Sequence, residues 1–200
     1  MDWAKLAARA GAMIARPGRT WDEIGPEPGD APEILLRYVA PLAAIPAVCG
    51  ALGALMFGIS FADVGLKPSF LSVLMEAVAG YALTFLFVWL AAAWVRVLAR
   101  PFGGLADSEQ ALKLTAYSGT AAWVTGIAHL YPNLALPVGL LAALYCGWTL
   151  YLGLPKLMRS DPEKTLTYFA AVLLGLMVLG VVLAAVVAKA AELGGPLSTI

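Results

Sequence analysis

The chain has 200 residues, 61% of them hydrophobic and 13% charged, with a mean hydropathy of +0.82 and a formal net charge of zero. Soluble domains carry roughly 25% charged and about 45–50% apolar residues; no water-soluble fold hides this much apolar surface in so short a chain, and an integral membrane protein is predicted. The balanced charge implies neither a nucleic-acid partner nor an acidic substrate.

Residues 1–30 are read as an amphipathic N-terminal segment on the cytoplasmic side. Trp3, Leu6, Ala10, Met13 and Ile14 recur at helical spacing, with Lys5, Arg9 and Arg16 mostly off that face. This pattern suits a helix resting on an anionic leaflet or one packed under a helical bundle. No uninterrupted apolar stretch of a cleavable signal occurs in residues 1–20, so Met1 is read as the mature start. Pro17 and Gly18 break the helix, and Gly25-Pro26-Glu27-Pro28-Gly29 cannot be helical. Thr20 with Glu23 resembles a capping box opening a single turn through Trp21 and Ile24. Asp30 with Glu33 repeats the device where the first span begins.

Residues 31–190 hold five apolar stretches: Tyr38 to Gly58, Ala77 to Leu98, Ala111 to Leu130, Leu134 to Leu154 and Leu166 to Ala188. Each is about the ~20 residues needed to cross a hydrocarbon core of ~30 Å. The predicted fold class is therefore all-α: a polytopic five-span transmembrane bundle with short N-terminal helices and a short tail over 191–200. Asp107 with Gln110 is the start signal of the third span and Ser160 with Glu163, around Pro162, that of the fifth. Tyr131-Pro132-Asn133 is too short to join anything but antiparallel neighbours, so the third and fourth spans form a hairpin.

Of the 13 basic residues, all but Lys67 and Lys189 lie on one side: Lys5, Arg9, Arg16, Arg19 and Arg37 before the first span, Arg96, Arg100 and Lys113 around the second connection, Lys156, Arg159 and Lys164 around the fourth. Since Lys and Arg near span ends set topology, the N-terminus is placed in the cytoplasm and the C-terminus outside an inner (plasma) membrane. Small residues repeat every four positions in Gly50, Ala54, Gly58; Ser118, Ala122, Gly126; Gly139, Ala143, Gly147; and Gly180, Ala184, Ala188. These stripes are read as intramolecular seams, with contacts in a homo-oligomer as the alternative.

Ionisable groups inside or beside the spans are few, and each merits a functional reading because a charge at bilayer centre costs ~2.5–3.5 kcal/mol on the insertion scale. Glu76 lies at the outer edge of the second span, Arg96 at its inner end, and Lys113 about one turn inside the third, four residues after Glu109. With Tyr117, Lys156 and Arg159 these are the candidate polar-cleft or partner-binding residues, although Glu76, Arg96 and Lys113 can also reach the interface. His129 is the single histidine, near the outer end of the third span. Cys49 and Cys146 fall mid-span, without the neighbours of a disulfide or metal pair. No zinc-protease, nucleophile-elbow or phosphate-loop motif occurs, so no catalytic residue, metal or cofactor is expected. The span hydroxyls are scattered, Thr84, Thr115, Tyr117, Ser118, Thr120 and Thr125, and the four of the third span, Thr115, Tyr117, Ser118 and Thr125, are read as bonding to neighbouring helices or as the lining of a cleft.

Several stretches carry a family resemblance: Arg16-Pro17-Gly18-Arg19-Thr20-Trp21-Asp22-Glu23-Ile24; Leu36-Arg37-Tyr38-Val39-Ala40-Pro41-Leu42 with Ile45-Pro46; Leu112-Lys113-Leu114-Thr115-Ala116-Tyr117-Ser118 with Ala121-Ala122-Trp123; and Tyr145 to Pro155. Over about residues 13–190 the chain resembles bacterial members of the Yip (Ypt-interacting protein) domain family. That resemblance implies a five-span bundle with a cytoplasmic N-terminus. Eukaryotic relatives act in vesicle traffic through Rab-type GTPases, but their Asp-Leu-Tyr-Gly-Pro stretch is absent here, and no catalytic residue is implied. The leading expectation is a non-enzymatic membrane scaffold whose partners are lipids and a membrane or cytoplasmic protein. The rival is a small transporter or channel for a lipid or small solute, in which Pro41, Pro46 and Pro137 kink the spans and free carbonyls toward a cleft.

Overall fold

A computed structural model describes residues 2–61, 64–195 and 198–199. Two short helices come first, α1 (Trp3–Ala15) and α2 (Pro17–Ile24). Asp2 caps α1 by accepting from the Lys5 N–H, and Pro17 opens α2 at the first helical position, where its missing N–H costs nothing. Thr20 is thus inside α2 and not its cap: its Oγ1 donates to the carbonyls of Arg16 and Ala12, tying α2 back to α1. The proline two residues upstream of Arg19 outcompetes the Thr20–Glu23 capping box as the start signal. Ala10 and Met13 are buried against the bundle while Trp3 stays exposed, so α1 packs under the bundle through one edge.

Four helices among the described residues are long and apolar enough to cross a membrane: Ala31–Phe57, Phe70–Phe102, Pro132–Leu157 and Thr165–Glu192. The first is α3 (Ala31–Glu33), a π-helical stretch (Ile34–Val39) and α4 (Ala40–Phe57) in one rod. Asp30 occupies the cap position but makes no side-chain cap bond. The π stretch, in which the Ala40 N–H reaches back to the Leu35 carbonyl, ends just before Pro41; widening the turn relieves the clash between a proline ring and the carbonyl four residues back. The other three are α5 (Phe70–Ala99, continued by a 3-10 turn through Phe102), α8 (Pro132–Leu157) and α9 (Thr165–Glu192). α9 starts later than the Ser160–Glu163 pair suggests. Asp161, not Ser160, accepts from a backbone N–H, that of Glu163, while Ser160 pairs with the Thr165 hydroxyl at 2.9 Å.

The expected third span is helical in pieces: α6 (Ser108–Ser118), α7 (Thr120–Val124) and a 3-10 turn (Thr125–Leu130). Asp107 caps α6 by accepting from Glu109 and Gln110 N–H groups. The breaks fall where threonines bond back along their own chain, Thr120 to the Tyr117 carbonyl and Thr125 to the Ala121 carbonyl, a pattern that bends helices. The segment still runs the length of the bundle. Its start lies beside the 25–30 loop, and its end meets α4, where a Cβ at Gly53 would strike the His129 and Leu130 carbonyls and one at Gly126 would strike Pro46. Tyr131 alone links it to α8, closing the expected hairpin, and its ring sits 5.4 Å from that of Phe57.

α5 and α9 are joined along most of their length. Tyr168 Oη donates to the Val95 carbonyl at 2.6 Å, Phe102 stacks on Tyr168, and Ser69 and Ser72 donate to the carbonyls of Gly194 and Ala191. Two of the small-residue stripes serve as seams only in part or not at their glycines: Gly147 of the α8 stripe lies beside Phe169 of α9, but the other glycines open outward. A Cβ at Gly139 or Gly180 would meet nothing within 4 Å, because α8 and α9 turn those faces outward. At the end away from α1 and α2, β1 (Ile59–Phe61), β2 (Val64–Lys67) and β3 (Ser198–Thr199) form a small antiparallel sheet in that order, not foreseen from the sequence. Pro196, Leu197 and Ile200 of the expected tail lie outside the described residues.

Candidate functional site

At one end of the bundle, α1, α2 and the 25–30 loop form a cap held by single side chains that cross between it and the bundle. Trp21 is the anchor. It is 0% exposed, and its Nε1 donates to the Thr149 carbonyl of α8 at 3.0 Å. Room for the indole comes from Gly153, one turn further along α8, where any Cβ would collide with both Trp21 and Leu114. A buried tryptophan contributes both its large apolar area and a satisfied N–H.

Charge clasps flank this anchor. On α8, Lys156 Nζ donates to the Gly18 carbonyl at 2.6 Å and pairs with Asp22 at 2.7 Å. On α6, Lys113 has a side chain only 3% exposed; it pairs with Glu109 at 2.7 Å and donates to the Glu27 carbonyl. Glu109 in turn accepts from the Gly29 N–H at 2.7 Å, and Glu27 pairs with Arg9 of α1 at 2.6 Å. Gln110 Nε2 donates to the Gly25 carbonyl, and Tyr145 Oη to the Ile14 carbonyl. The hydrogen bond from Lys113, then that from the Gly29 N–H, holds the Glu109 carboxyl below its usual range. Lys113 is thereby buried without an unpaired charge, which is what makes its position tolerable.

The six residues singled out in the sequence fall into four places. Lys113 and Tyr117 line one cavity of about 370 Å³ under α1 and the 25–30 loop. Lys156 and Arg159 line another of about 400 Å³ between α2 and the end of α8, with Arg159 held at a left-handed φ of 50° just past the helix. Arg96 is apart, donating to Ser108 Oγ at 2.9 Å beside the α5–α6 connection. Glu76 is at the opposite end, in a third cavity of about 280 Å³ that also receives His129 and Pro46. Pro137 is exposed on α8 and lines none of these.

The first and third cavities share no lining residue. Packed between them are Val39 and Leu42 and the hydrogen bond of 2.7 Å between the Tyr38 and Thr120 hydroxyls, with the Tyr117 ring 4.3 Å from that of Tyr38. Of the remaining hydroxyls, Thr115 bonds to its own helix and to the Val88 carbonyl of α5, Thr84 bonds only to its own helix, and Ser118 Oγ is buried with no partner among the described residues. Trp21, Asp22, Glu27 and Arg9 were not among the expected site residues. The available signal was a tryptophan in an otherwise polar turn, beside a proline- and glycine-rich loop that has no helix to satisfy its own backbone.

A Yip1 domain model matches residues 11–184, from α1 through most of α9. The chain belongs to the Yip1 family. The matched region therefore takes in the cap as well as the spans, and Trp21, Lys113 and Lys156 are all Yip1-domain positions here. This Yip1-family chain is similar to inner membrane protein YohC of Escherichia coli strain K12, with 28% identity over 176 residues that cover 86% of this chain and 90% of that protein. The protein of the same name from Escherichia coli O6:H1 matches equally. No solved structure matches the chain.

Proposed function

We propose that this Yip1-family protein is a five-pass inner-membrane scaffold without enzymatic activity, whose cap is a cytoplasmic platform for a partner protein. The carrying observation is the cap itself: two helices fastened to the bundle by Trp21, Lys113 and Lys156, with basic side chains left outward. Lys5 and Arg37 are largely exposed in the pairs they make with Asp2 and Glu33, and Arg16, Arg19, Arg100 and Arg159 are exposed as well. Rigid presentation lowers the ordering cost of binding, and the excess of basic residues at this end supports its cytoplasmic placement. The broken segment from Ala111 to Leu130 is the remaining crossing in this reading, and its polar backbone breaks are shielded by the helices around it. A homologue named as an inner membrane protein supports the location.

The test is cross-linking in native membranes from a cysteine placed at Arg19, comparing the full chain with Trp21→Ala. Partners that depend on Trp21 support the platform. An unchanged set of partners after the cap is released, or surface labelling of Arg19→Cys from outside intact cells, refutes it.

A second reading, solute or lipid transport, draws on one observation: a cavity at each end of a broken, proline-flanked segment, separated by the Tyr38–Thr120 contact. Reconstituted vesicles in which Tyr38→Ala leaves the leak of ions, amino acids and lipids unchanged would remove it.

A further inference from the structure

Arg96 and Arg100 stand one turn apart at the end of α5, on the same exposed face of the rod. Among the described residues neither makes an ion pair: Arg96 donates to Ser108 Oγ at 2.9 Å, and Arg100 has no side-chain partner. Three carboxylates lie near this end of α5, and none reaches either guanidinium. Asp107 accepts from the first N–H groups of α6, Glu109 is taken by Lys113 and the Gly29 N–H, and Asp161 accepts from the Glu163 N–H. Toward the bilayer the same face is apolar and uncovered. At 3.6 residues per turn Leu86, Trp89 and Val97 fall with the two arginines inside about 100° of arc, and these three are 41%, 59% and 65% exposed, while the opposite face buries Val88, Ala91 and Val95. We propose that this flank of α5 docks one anionic phospholipid of the phosphatidylglycerol type, its phosphate held between Arg96 and Arg100 and an acyl chain lying along Val97, Trp89 and Leu86.

Two features set the occupant. Guanidinium groups four residues apart on a helix can close on a single phosphate, and the planar fork of each matches its oxygens with paired N–H donors. Ser108 joins them: its oxygen accepts from Arg96, which leaves its own hydrogen for a phosphate oxygen. An acidic protein segment would satisfy these charges but not the column beside them. That column runs about 15 Å from Arg96 to Leu86, along a helix that lipid tails surround wherever protein does not. With two positive charges and no carboxylate in reach, the ammonium or choline of a zwitterionic headgroup is repelled, and an uncharged glycerol is not. α5 packs on α4, α6 and α9, so the site is separate from the Trp21 and Lys156 anchors of the cap and stands whether or not the cap recruits a partner.

Purified full-length protein in detergent is titrated with phosphatidylglycerol, phosphatidylethanolamine, phosphatidylcholine and soluble glycerol phosphate, followed by native mass spectrometry and thermal stabilisation. Phosphatidylglycerol is expected to bind best and glycerol phosphate far more weakly. The double variant Arg96→Gln with Arg100→Gln is expected to weaken phosphatidylglycerol binding by about tenfold or more, the order of at least one lost charge-assisted hydrogen bond. Its melting temperature without lipid should match the wild type, because both side chains are exposed. Trp89→Ala, which leaves the charges in place, is expected to weaken binding by a smaller factor. A matched double variant, Arg16→Gln with Arg19→Gln, removes the same charge from the cap and is expected to leave binding unaltered. Equal binding of the three lipids, glycerol phosphate binding as tightly as phosphatidylglycerol, wild-type affinity in the α5 double variant, or the same loss in both double variants overturns the assignment.

Discussion

α6 and α9 pack by opposite rules. From Ala111 to Ala116 every residue of α6 is buried, including Lys113 and Thr115, whereas the 28-residue α9 buries only Thr165, Tyr168 and Val172 and leaves leucines, valines and a methionine facing out. The polar segment is the core and the most apolar helix is the rind. In a bilayer, lipid tails are as apolar as Leu, so nothing drives α9 inward beyond its packing on α5. A lysine and several threonines, in contrast, find partners only inside the bundle. Hydrophobicity here locates helices in the membrane; it does not say which of them lie at the centre.

The comparison can be broken at the centre first. Trp21→Ala removes the anchor that seats the cap against Gly153 and Leu114, and a loss of about 3–5 kcal/mol is expected, read as lowered thermal stability in detergent together with new protease cleavage in the 25–30 loop. Lys113→Ala leaves the Glu27 carbonyl and Glu109 without their shared donor, at an expected cost of about 1–3 kcal/mol. If it costs nothing, α6 is not held by its polar partners.

Acid sharpens the same point more gently. Because the Glu109 carboxyl lies below its usual range in the folded protein, its contribution is full above the unfolded value of about 4.3 and fades as pH falls through the folded value. Cap release, followed by proteolysis across a pH series, should rise below about pH 4 and lose part of that rise in Glu109→Gln. Glu109 is 43% exposed, so solvent screening keeps this effect smaller than that of Lys113→Ala. At the rind, Leu174→Ala, at a position 65% exposed, should change stability by no more than about 0.5 kcal/mol. A larger loss measured by detergent unfolding would mean that α9 is covered by protein and not by lipid.

Much of the architecture was legible in advance. The apolar runs at Ala77–Leu98, Leu134–Leu154 and Leu166–Ala188 each lie within a long helix, and Tyr38–Gly58 does up to Phe57, because length and apolarity are local properties. Asp107 caps α6 as its spacing suggests, and the Tyr131 link enforces the hairpin. Local signals failed at two starts: Pro17 overrode Thr20 as the start of α2, and α9 begins beyond the Ser160–Glu163 pair, at Thr165, with no side-chain cap. The small-residue stripes of α8 and α9 misled for a different reason. A four-residue repeat describes one face of a helix but not what stands opposite it: on α8 and α9 the close approaches occur instead at Gly153 and Gly175, whereas Gly126 of the third-span stripe does approach α4, at Pro46.

The candidate site was half legible. Lys113, Tyr117, Lys156 and Arg159 were visible as polar residues at one end, and they meet there in two cavities. Their partners were not visible, since Asp22 is 134 residues from Lys156 and the Glu27 carbonyl 86 from Lys113. From the sequence by itself came the membrane as solvent, the rods and their lengths, and the concentration of basic residues about one end, all set by composition within a few turns. The fold alone decided that α6 is the centre, that Trp21 closes the cap and that Glu76 and His129 share a cavity. Those outcomes depend on which helix faces stand opposite one another, and a bilayer, unlike water, supplies no hydrophobic gradient along a sequence to announce them.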